Sequence, residues 1–422
     1  MAKIKEYFKK TLNKLSGKKS DTKENNNTTD NTDKKNEPVD INSFKKKLLR
    51  HRRLLTYRAI AIGVFILLVI IGIYFSYKKR VFTDYTVLKT IRYTEVPTAD
   101  YKKFNNNIVR YSTDGAFGFN MSNEMLWNQT YEMQNPIISI QGDYVAIGDY
   151  NGTKIYVMNS KGKQGEIDTT LPIHNFCVSG TGSVAVVLEE NDVTWVRLFD
   201  SKGEIIASDR TTMAQSGYPV AIALSPNGSL LSVSYLLLEQ GNVTSSVAFY
   251  NFGDVGQNEI DNLVSGYNYK STVVSYLKFM NDKTSFAVGD NKFMIYKGTQ
   301  KPESTFELDI KDEEIKSVFN NENYIGLVFL EGTSEASYRL DVYNSTGDMV
   351  FTKKFNLEYT DILLNNDMVV IYNSSECLMY SMDDIEKFNG NFKNSVIEMV
   401  PGSSPTRYLL VSGSKTEEIQ LK

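Results

Sequence analysis

The chain has 422 residues, enough for one large domain or two or three ordinary ones, and its formal net charge is −3. Two cysteines exclude a disulfide framework, and two histidines leave little for histidine-based catalysis or a Cys/His zinc site. The charge is unevenly distributed, since residues 1–58 carry 17 Lys and Arg against 7 Asp and Glu, whereas residues 81–422 carry 27 against 43. A basic arm joined to an acidic body indicates two environments, one of them a membrane surface or a polyanion.

The first fifteen residues, MAKIKEYFKKTLNKL, predict a short basic amphipathic helix over 1–15. Such a helix would lie on anionic lipid, and a solvated helix without a partner is the alternative. No nucleic-acid-binding module accompanies the charge. Residues 16–42 are rich in Asn, Thr, Asp and Lys and predict a disordered polar linker. The side chains assigned to the membrane surface are Ile4, Phe8, Leu12, Leu15, Lys5 and Lys9.

An uninterrupted apolar stretch, AIAIGVFILLVIIGIYF, runs from Ala59 to Phe75. As a helix, the uncharged residues 59–77 would span about 28 Å, close to the thickness of a bilayer core. The sequence therefore predicts a transmembrane helix over 59–77, with a buried core helix as the alternative. We expect a signal anchor rather than a cleaved signal peptide, because no small-x-small cleavage pattern follows Phe75.

The Lys and Arg bias around this stretch predicts its orientation. The basic juxtamembrane segment 43–58 carries seven Lys and Arg, against five over residues 76–92. Positively charged flanks favour the cytoplasmic side, so we expect a cytoplasmic amino terminus and an outer domain over residues 81–422. The Asn-, Lys- and Ile-rich composition is typical of AT-rich bacterial genomes and suggests the cell membrane of a Gram-positive bacterium. The topology-determining residues are Lys45, Lys46, Lys47, Arg50, Arg52, Arg53 and Arg58.

Beyond residue 84 the pattern changes to short alternating strands separated by Gly, Asn, Asp and Ser. One element recurs, in which an apolar strand ends in an aromatic residue or Met and a polar turn follows. Its anchor positions are Phe119, Met158, Phe199, Tyr250, Tyr296, Tyr343 and Tyr380, with spacings of 39, 41, 51, 46, 47 and 37 residues. A period of roughly 40 to 50 residues with about four strands per unit predicts a β-propeller.

The blade count follows from the strands left over at the two ends. Seven complete units fit between residues 101 and 392, and three further strands remain at the carboxyl end. The segment DYTVLKTIRYTEV, residues 84–96, supplies a fourth strand and would leave no open edge in the ring. We expect an all-β propeller of eight blades over 84–422, closed by the N- and C-terminal strands in one blade. Seven blades are the main alternative.

A tight turn, SPNG, separates the first two strands of the fourth unit. Pro226 presets φ, Asn227 tolerates the left-handed conformation and Gly228 permits a positive φ. The surrounding segment LSPNGSLLSVSY resembles the Ser-Pro-Asp/Asn-Gly turn of WD40-like propellers, and GDYNGTKIYVMNSKGK resembles the strand-turn-strand of quinoprotein-type propellers. The layout of basic tail, single span and outer propeller is similar to an uncharacterised family of membrane-anchored proteins of clostridia and relatives. The chain lacks the repeated Trp-Asp pairs of WD40 repeats and the regular tryptophans of quinoprotein blades, so no cofactor is expected from this resemblance.

Residues suited to chemistry are sparse. His174 opens a predicted innermost strand near the central channel and has no second histidine within residues 81–422, so we expect a structural or surface role. The pairs Glu189/Glu190 and Asp383/Asp384 adjoin predicted turns and are interpreted as solvated charges. We therefore predict no catalytic residue, no metal and no cofactor. A carboxylate pair from distant loops would leave no local signature and stays open.

The two cysteines test the eight-blade arrangement. Cys177 falls in the first strand of the third unit and Cys377 in the third strand of the seventh, on opposite sides of an eight-bladed ring. We expect no disulfide between them and interpret both as small buried hydrophobic residues.

Only about six residues separate Tyr77 from the first propeller strand, a reach of about 20 Å, so the propeller is expected close to the membrane. The leading prediction is a non-enzymatic, membrane-anchored binding platform whose extracytoplasmic propeller docks an envelope protein or a cell-wall glycan. Its tail would contact the lipid bilayer, and no nucleic acid partner is expected. The alternatives are an extracytoplasmic carboxylate-dependent glycan hydrolase or lyase, which buried carboxylates in a deep pocket would favour, and a transmembrane sensor.

Overall fold

A computed structural model describes residues 41–93, 99–191, 193–212, 216–239, 241–333, 336–365, 367–402 and 404–422. The chain divides into two compact units, residues 1–76 and 77–422. The predicted surface helix over 1–15, with its six lipid-facing residues, and the predicted linker up to residue 40 lie outside the described residues.

One helix, α1, runs from Ile41 to Lys78. The basic segment and the apolar stretch, predicted as separate elements, are thus one helix, since no Gly or Pro interrupts residues 41–62 and Lys, Arg and Leu are good helix formers. Its stretch Leu49–Ile73, 25 residues long and exposed, is apolar and long enough to cross a membrane. All seven predicted topology-determining residues lie in the amino-terminal half of α1.

The rest of the described chain forms antiparallel four-stranded sheets, the blades. Blades 1 to 4 contain β2 (Asp100–Phe104), β3 (Asn107–Tyr111), β4 (Gly115–Asn120) and β5 (Met125–Thr130); β6 (Pro136–Gln141), β7 (Tyr144–Asp149), β8 (Lys154–Asn159) and β9 (Gly162–Asp168); β10 (Ile173–Val178), β11 (Val184–Glu190), β12 (Val193–Phe199) and β13 (Ile205–Thr212); and β14 (Tyr218–Leu224), β15 (Leu230–Glu239), β16 (Asn242–Asn251) and β17 (Leu263–Lys270). Blades 5 to 8 contain β18 (Val274–Asn281), β19 (Thr284–Gly289), β20 (Lys292–Lys297) and β21 (Glu303–Asp309); β22 (Ile315–Asn320), β23 (Tyr324–Leu330), β24 (Tyr338–Asn344) and β25 (Met349–Phe355); β26 (Asp361–Asn365), β27 (Met368–Tyr372), β28 (Glu376–Ser381) and β29 (Glu386–Asn391); and β30 (Glu398–Pro401), β31 (Arg407–Val411), β32 (Lys415–Leu421) and β1 (Tyr85–Arg92).

The eighth blade joins the two ends of the propeller chain. Its strand order is β30-β31-β32-β1, so the amino-terminal strand is the outermost one. The pairing of β1 with β32 runs from Tyr85 opposite Leu421 to Arg92 opposite Lys415. The prediction of eight blades with a shared closing blade is confirmed, and the seven-blade alternative is wrong.

Every blade carries the same β-bulge between its third and fourth strands. In blade 3, Leu198 pairs with Ala207 and Phe199 with Ile205, which leaves Ile206 as the extra residue. The extra residues of the eight blades are Leu126, Gln164, Ile206, Val264, Thr305, Val350, Lys387 and, in blade 8, Leu88. In blades 1 to 7 the bulge lies at the repeating aromatic or Met anchor. The sequence repeat therefore marks the place where each fourth strand twists away from the third.

The core consists of eight apolar clusters, and each fills the seam between two neighbouring blades. This follows from the radial arrangement, because both faces of each sheet pack against another sheet. Among the described residues, the seam between blades 8 and 1 has six buried apolar members, including Tyr101, Ile108 and Val400. The seam between blades 7 and 8 includes Tyr85, Cys377 and Leu421.

The antiparallel strands define two faces of the propeller. The eight innermost strands begin on one face, here called the upper face, and end on the lower face. The turn Ser225–Ser229 lies on the lower face between β14 and β15, where Gly228 has φ +75° as predicted. Asn227 has no left-handed backbone; its side-chain oxygen accepts the Ser229 N–H at 3.0 Å, and its own N–H donates to Asp282 of blade 5 at 2.8 Å.

The chain enters the propeller unit on the lower face. Phe82 is buried, forms a parallel bridge with Phe388, and donates its N–H to the Lys387 carbonyl oxygen at 2.7 Å. Lys78 forms an ion pair with Asp383 at 2.6 Å, in the turn before β29. Residues 78–84 therefore pack on the lower ends of blades 7 and 8.

Candidate functional site

A groove of about 750 Å³ opens on the upper face between blades 5 and 6. It forms where the chain crosses from the outermost strand β21 to the innermost strand β22, opposite the turn between β19 and β20. The lining residues are Ser275, Tyr276, Val288, Gly289, Asp290, Asn291, Ile310, Asp312, Glu313, Glu314, Ile315, Lys316, Ser317 and Val318.

Four carboxylates and one lysine line this groove. Asp290 accepts the Val273 N–H at 3.0 Å, and Glu313 accepts a hydrogen bond from Arg339 at 2.7 Å. Asp312 and Glu314 are exposed, and within the described part of the chain their carboxylates form no hydrogen bond or ion pair. The groove thus presents negative charge that is available to a ligand.

Among the described lining residues, Tyr276 of β18 is the one aromatic side chain of the groove. Tyr276 packs against Phe286 with ring centroids 5.7 Å apart, and burial raises the pKa of the Tyr276 phenol. Ser317 shares a short hydrogen bond with the Tyr359 hydroxyl. The carboxylates of the rim suit a ligand with a cationic group better than a purely apolar one.

Arg339 in β24 holds the rim of this groove in place. Its guanidinium donates to Glu313 at 2.7 Å, to Glu331 at 2.7 Å and to the buried Asp341 at 3.0 Å. The guanidinium also lies 4.6 Å from the centroid of the Phe329 ring. One side chain therefore connects the loop before β22 with the two central strands of blade 6.

A second cluster lies on the upper face, where the innermost strands of blades 7, 8 and 1 begin. Asp361 opens β26, Glu398 opens β30 and Asp100 opens β2. Lys102 in β2 donates to Glu398 Oε2 at 3.4 Å. Burial raises the pKa of Glu398 to about 7 against the opposing effect of Lys102, and the charge of Asp361 raises it further. Burial likewise raises the pKa of Asp361.

With a pKa of about 7, Glu398 is partly protonated at neutral pH, which is the state that a general acid needs, and the charge of Asp361 acts on it. Sequence reasoning missed this cluster because Asp361 and Glu398 are 37 residues apart. A usable signal exists, since three successive innermost strands each begin with an acidic residue. Among the described residues, no group of three or more His, Cys, Asp or Glu side chains is arranged to hold a metal ion.

His174 occupies the second position of β10, an innermost strand, as predicted. Its Nε2 lies 3.4 Å from Glu189 Oε2, which also accepts the Tyr218 hydroxyl at 3.1 Å. Glu189, near the end of β11, therefore accepts a hydrogen bond rather than being simply solvated, whereas Glu190 is exposed. The Tyr150 ring lies edge-on to His174 at 5.6 Å.

Asp383 and Asp384 are exposed turn residues, as predicted, and each also forms an ion pair. Lys78 contacts Asp383 at 2.6 Å, and Lys353 contacts Asp384 at 2.8 Å. Both pairs lie on the lower face, away from the groove.

Both cysteines are free thiols in the strands predicted for them, in blades 3 and 7. Cys377 is fully buried, whereas Cys177 is of intermediate exposure, which differs from the expectation of two buried residues; the Cys177 side chain still packs against the core cluster between blades 3 and 4. Burial raises the pKa of the Cys177 thiol to about 12, so the thiol is protonated at neutral pH.

The sheet order and the shared closing blade define an eight-bladed β-propeller. The chain belongs to the DUF5711 family, a family of unknown function, whose profile matches residues 78–421. Comparison with curated proteins found no sequence match.

Three solved structures that this chain matches are all of low sequence identity. The C-terminal WD40 domain of Sif2 is 8% identical with a TM-score of 0.54, covering 81% of this chain and 99% of its own. Sqt1 from Chaetomium thermophilum is 11% identical with a TM-score of 0.52, covering 80% and 98%. BamB from Moraxella catarrhalis is 12% identical with a TM-score of 0.46, covering 80% and 100%. The first two support the WD40-like resemblance at the level of the fold alone.

Proposed function

We propose that this protein is a non-enzymatic binding platform, anchored in the cell membrane by α1, whose extracytoplasmic propeller docks an envelope protein or a cell-wall glycan. The observation that carries the proposal is the open, carboxylate-lined groove between blades 5 and 6. A rigid ring with a groove on one face is a common arrangement for binding other macromolecules.

The upper face is the proposed docking face. The chain enters the propeller unit on the lower face, through residues 78–84, so the groove lies on the side opposite the point of entry. Exposed apolar bulge residues on the lower rim (Leu88, Leu126, Ile206 and Val350) suit the headgroup region of a bilayer better than bulk water.

The charge of the propeller narrows the class of partner. Residues 81–422 have a net charge of −16, from 27 Lys and Arg against 43 Asp and Glu. An acidic body repels anionic wall polymers and attracts basic segments. A protein partner with an exposed basic segment therefore fits the groove best, and an uncharged glycan comes second.

Site-directed photo-crosslinking in intact cells tests the docking face. A photoreactive residue at Glu314, on the groove rim, is compared with one at Glu322, an exposed residue at the lower end of the same blade. We expect one defined envelope protein to be crosslinked at position 314 only, and Asp312→Lys to reduce that adduct at least tenfold. Equal labelling from both positions would argue against a docking groove.

Binding to a glycan is tested by measuring how much full-length protein in nanodiscs is retained by purified peptidoglycan from which the anionic polymers have been removed. Retention that depends on Asp312 and Glu314 would assign the groove to the glycan. Glu322→Lys is the control, because it makes the same charge change as Asp312→Lys but on the lower face. We expect peptidoglycan to retain Glu322→Lys as well as it retains the native chain.

Membrane topology is tested separately, by protease treatment of intact protoplasts carrying tags at the amino terminus and after Lys422. We expect the carboxyl tag to be lost while the amino tag stays protected. The reverse pattern would place the propeller in the cytoplasm and refute the extracytoplasmic assignment.

A second candidate function, a glycan hydrolase or lyase, rests on the Asp361 and Glu398 carboxyls. Glu398 with a pKa of about 7 could act as a general acid at neutral pH. The test is turnover of peptidoglycan fragments by the full-length chain and by Glu398→Gln. Release of products by the native chain that Glu398→Gln abolishes would favour the enzyme over the platform.

A further inference from the structure

Blade 4 carries a longer connection between its third and fourth strands than its neighbours, because eleven residues separate β16 from β17 whereas five separate the corresponding strands of blades 3 and 5. Two short 3₁₀ turns, Gly256–Asn258 and Ile260–Asn262, occupy this connection. It folds back tightly on the end of β16, because a Cβ atom on the buried Gly256 would lie 1.6 Å from the Asn251 carbonyl oxygen. Asp261 and Asn262 follow with φ of +54° and +59°.

This connection closes a pocket of about 290 Å³ against β13, the outermost strand of blade 3. The inner wall is apolar and the remaining walls combine aromatic rings with carboxylates. The lining residues are Val196, Leu198, Ile206, Ala207, Ser208, Asp209, Leu231, Tyr235, Tyr250, Phe252, Asp261 and Asn262.

The aromatic wall is fixed by a pair of phenols. The Tyr235 and Tyr250 hydroxyls lie 2.9 Å apart and hydrogen-bond each other, and Tyr235 is 3% exposed. Burial raises the pKa of Tyr250 to about 12, so this phenol is neutral, and Tyr250 lines the pocket together with Phe252.

Two carboxylates, Asp209 and Asp261, give the pocket negative charge. Asp209 and Asp261 lie close enough for their charges to interact; burial raises the pKa of Asp209, and the charge of Asp261 raises it further. Of the residues that the structure describes, no Lys or Arg lines the pocket. Arg210 points the other way, with its guanidinium 6.0 Å from the Trp195 ring centroid. The undescribed residues within 93–422 include no Lys or Arg either.

Aromatic faces and partly desolvated carboxylates are the groups by which proteins bind organic cations. A cation in the pocket would relieve the repulsion between Asp209 and Asp261 and would interact with the rings of Tyr250 and Phe252. A hard inorganic cation takes six or more oxygen ligands, and only two side chains of the lining are carboxylates, which favours an organic cation.

We propose that the pocket between blades 3 and 4 binds an alkylammonium group, either of a free amine or of a lysine side chain. The volume accepts a group of that size and excludes a folded polymer. The pocket is independent of the upper-face groove, so either proposal can fail without the other.

Isothermal titration of the full-length protein in nanodiscs tests the proposal, with tetramethylammonium chloride as probe and sodium chloride at the same ionic strength as reference. We expect saturable one-site binding for the native chain and a loss of at least tenfold in affinity for Asp209→Asn. The matched control is Glu204→Gln, which removes an exposed carboxylate from the turn just before β13 without touching the pocket. The proposal would be overturned if Asp209→Asn bound tetramethylammonium as tightly as the native chain does. It would also be overturned if titration with tetramethylammonium chloride and with sodium chloride released equal heat.

A second variant keeps the test valid if Asp209→Asn changes stability. Phe252→Leu retains apolar volume but removes a ring, and we expect it to weaken tetramethylammonium at least threefold while the unfolding midpoint stays near native. If neither Phe252→Leu nor Asp209→Asn changed the affinity for tetramethylammonium, a cation site would be excluded. Two further probes distinguish the sources of the alkylammonium group. Tighter binding of Nα-acetyl-lysine methylamide than of 1,4-diaminobutane would indicate a lysine of a protein partner, and the reverse order would indicate a free amine.

Discussion

Tyr85 pairs with Leu421 at the start of the outermost strand pair of blade 8, so the first and last strands of the propeller are neighbours in one sheet. Both side chains are buried, at 2% and 3% exposure, in the seam between blades 7 and 8. The Tyr85 hydroxyl also accepts the Lys393 N–H at 2.8 Å. The ring is therefore closed by side-chain packing as well as by main-chain hydrogen bonds.

Leu421→Ala should weaken this closure. Removing a fully packed leucine leaves a cavity, and we expect the free energy of unfolding to fall by about 2 to 4 kcal/mol. Urea denaturation of the full-length protein in detergent measures the change. Leu238→Ala is the control, because Leu238 is 59% exposed in β15 and its truncation should cost less than about 0.5 kcal/mol. Equal losses in the two variants would show that blade 8 does not limit stability.

Lys387, the bulge residue of blade 7, holds the chain where it enters the propeller unit. Its ammonium donates to the carbonyl oxygens of Lys78 and Arg80, although burial lowers the pKa of Lys387. In Lys387→Met these charge-assisted bonds are lost, and we expect amide exchange at Phe82 to accelerate about tenfold or more. Hydrogen exchange with mass spectrometry reads this directly. Lys353→Met, which breaks the exposed pair with Asp384, should leave Phe82 protected.

The repeat could be predicted from sequence because one local event recurs in every blade. Anchors such as Phe199 and Tyr343 precede polar turns, and the structure places the same bulge at each. Local pattern and fold thus report the same geometry. The eighth blade followed from counting strands, without any contact between Tyr85 and Leu421 being visible in the sequence.

The candidate sites could not be predicted in the same way, because each is built across a seam between blades. Asp361 and Glu398 meet only because successive innermost strands are neighbours in the ring. Asp209 and Asp261 belong to different blades and come together through the long connection of blade 4. Which acidic residues share a site depends on the radial packing of sheets, and no local spacing rule reports it.

Arg339→Met should destabilise blade 6 strongly. The substitution would leave the buried Asp341 without its guanidinium partner, with the Thr352 hydroxyl at 2.6 Å among its remaining donors. Removing one partner from a buried ion-pair network typically lowers the free energy of unfolding by about 3 to 5 kcal/mol. We expect a decrease near the lower end of this range, because Glu313 is exposed. Thermal unfolding measures the loss, and Arg339→Lys should recover only part of it.

The Arg339→Met variant also separates stability from docking. If the groove rim depends on Arg339, crosslinking from position 314 should fall in the folded fraction of the variant as well. Crosslinking at the native level would show that Glu313 is positioned without Arg339.

Glu398 should make stability fall as the pH rises. Burial raises its pKa from an ordinary 4.5 to about 7, so between these values the folded chain holds a proton that the unfolded chain has lost. The contribution of the protonated carboxyl is fully present below pH 4.5 and is lost as the pH rises through 7. A pKa shift of this size lowers the free energy of unfolding by roughly 2 to 3 kcal/mol between pH 5 and pH 8. Asp361, whose pKa burial also raises, acts in the same direction.

Glu398→Gln removes this titration while keeping a polar side chain of nearly the same shape. Between pH 5 and pH 8, we therefore expect the free energy of unfolding of the variant to rise by roughly 2 kcal/mol relative to that of the native chain. The reason is that only the native chain must ionise the buried Glu398 carboxyl. Urea denaturation at both pH values gives the difference, with the exposed Glu322→Gln as the control. Parallel pH profiles for the native chain and Glu398→Gln would mean that Glu398 ionises normally. The general-acid role would then lose its basis, whereas the binding platform would be unaffected.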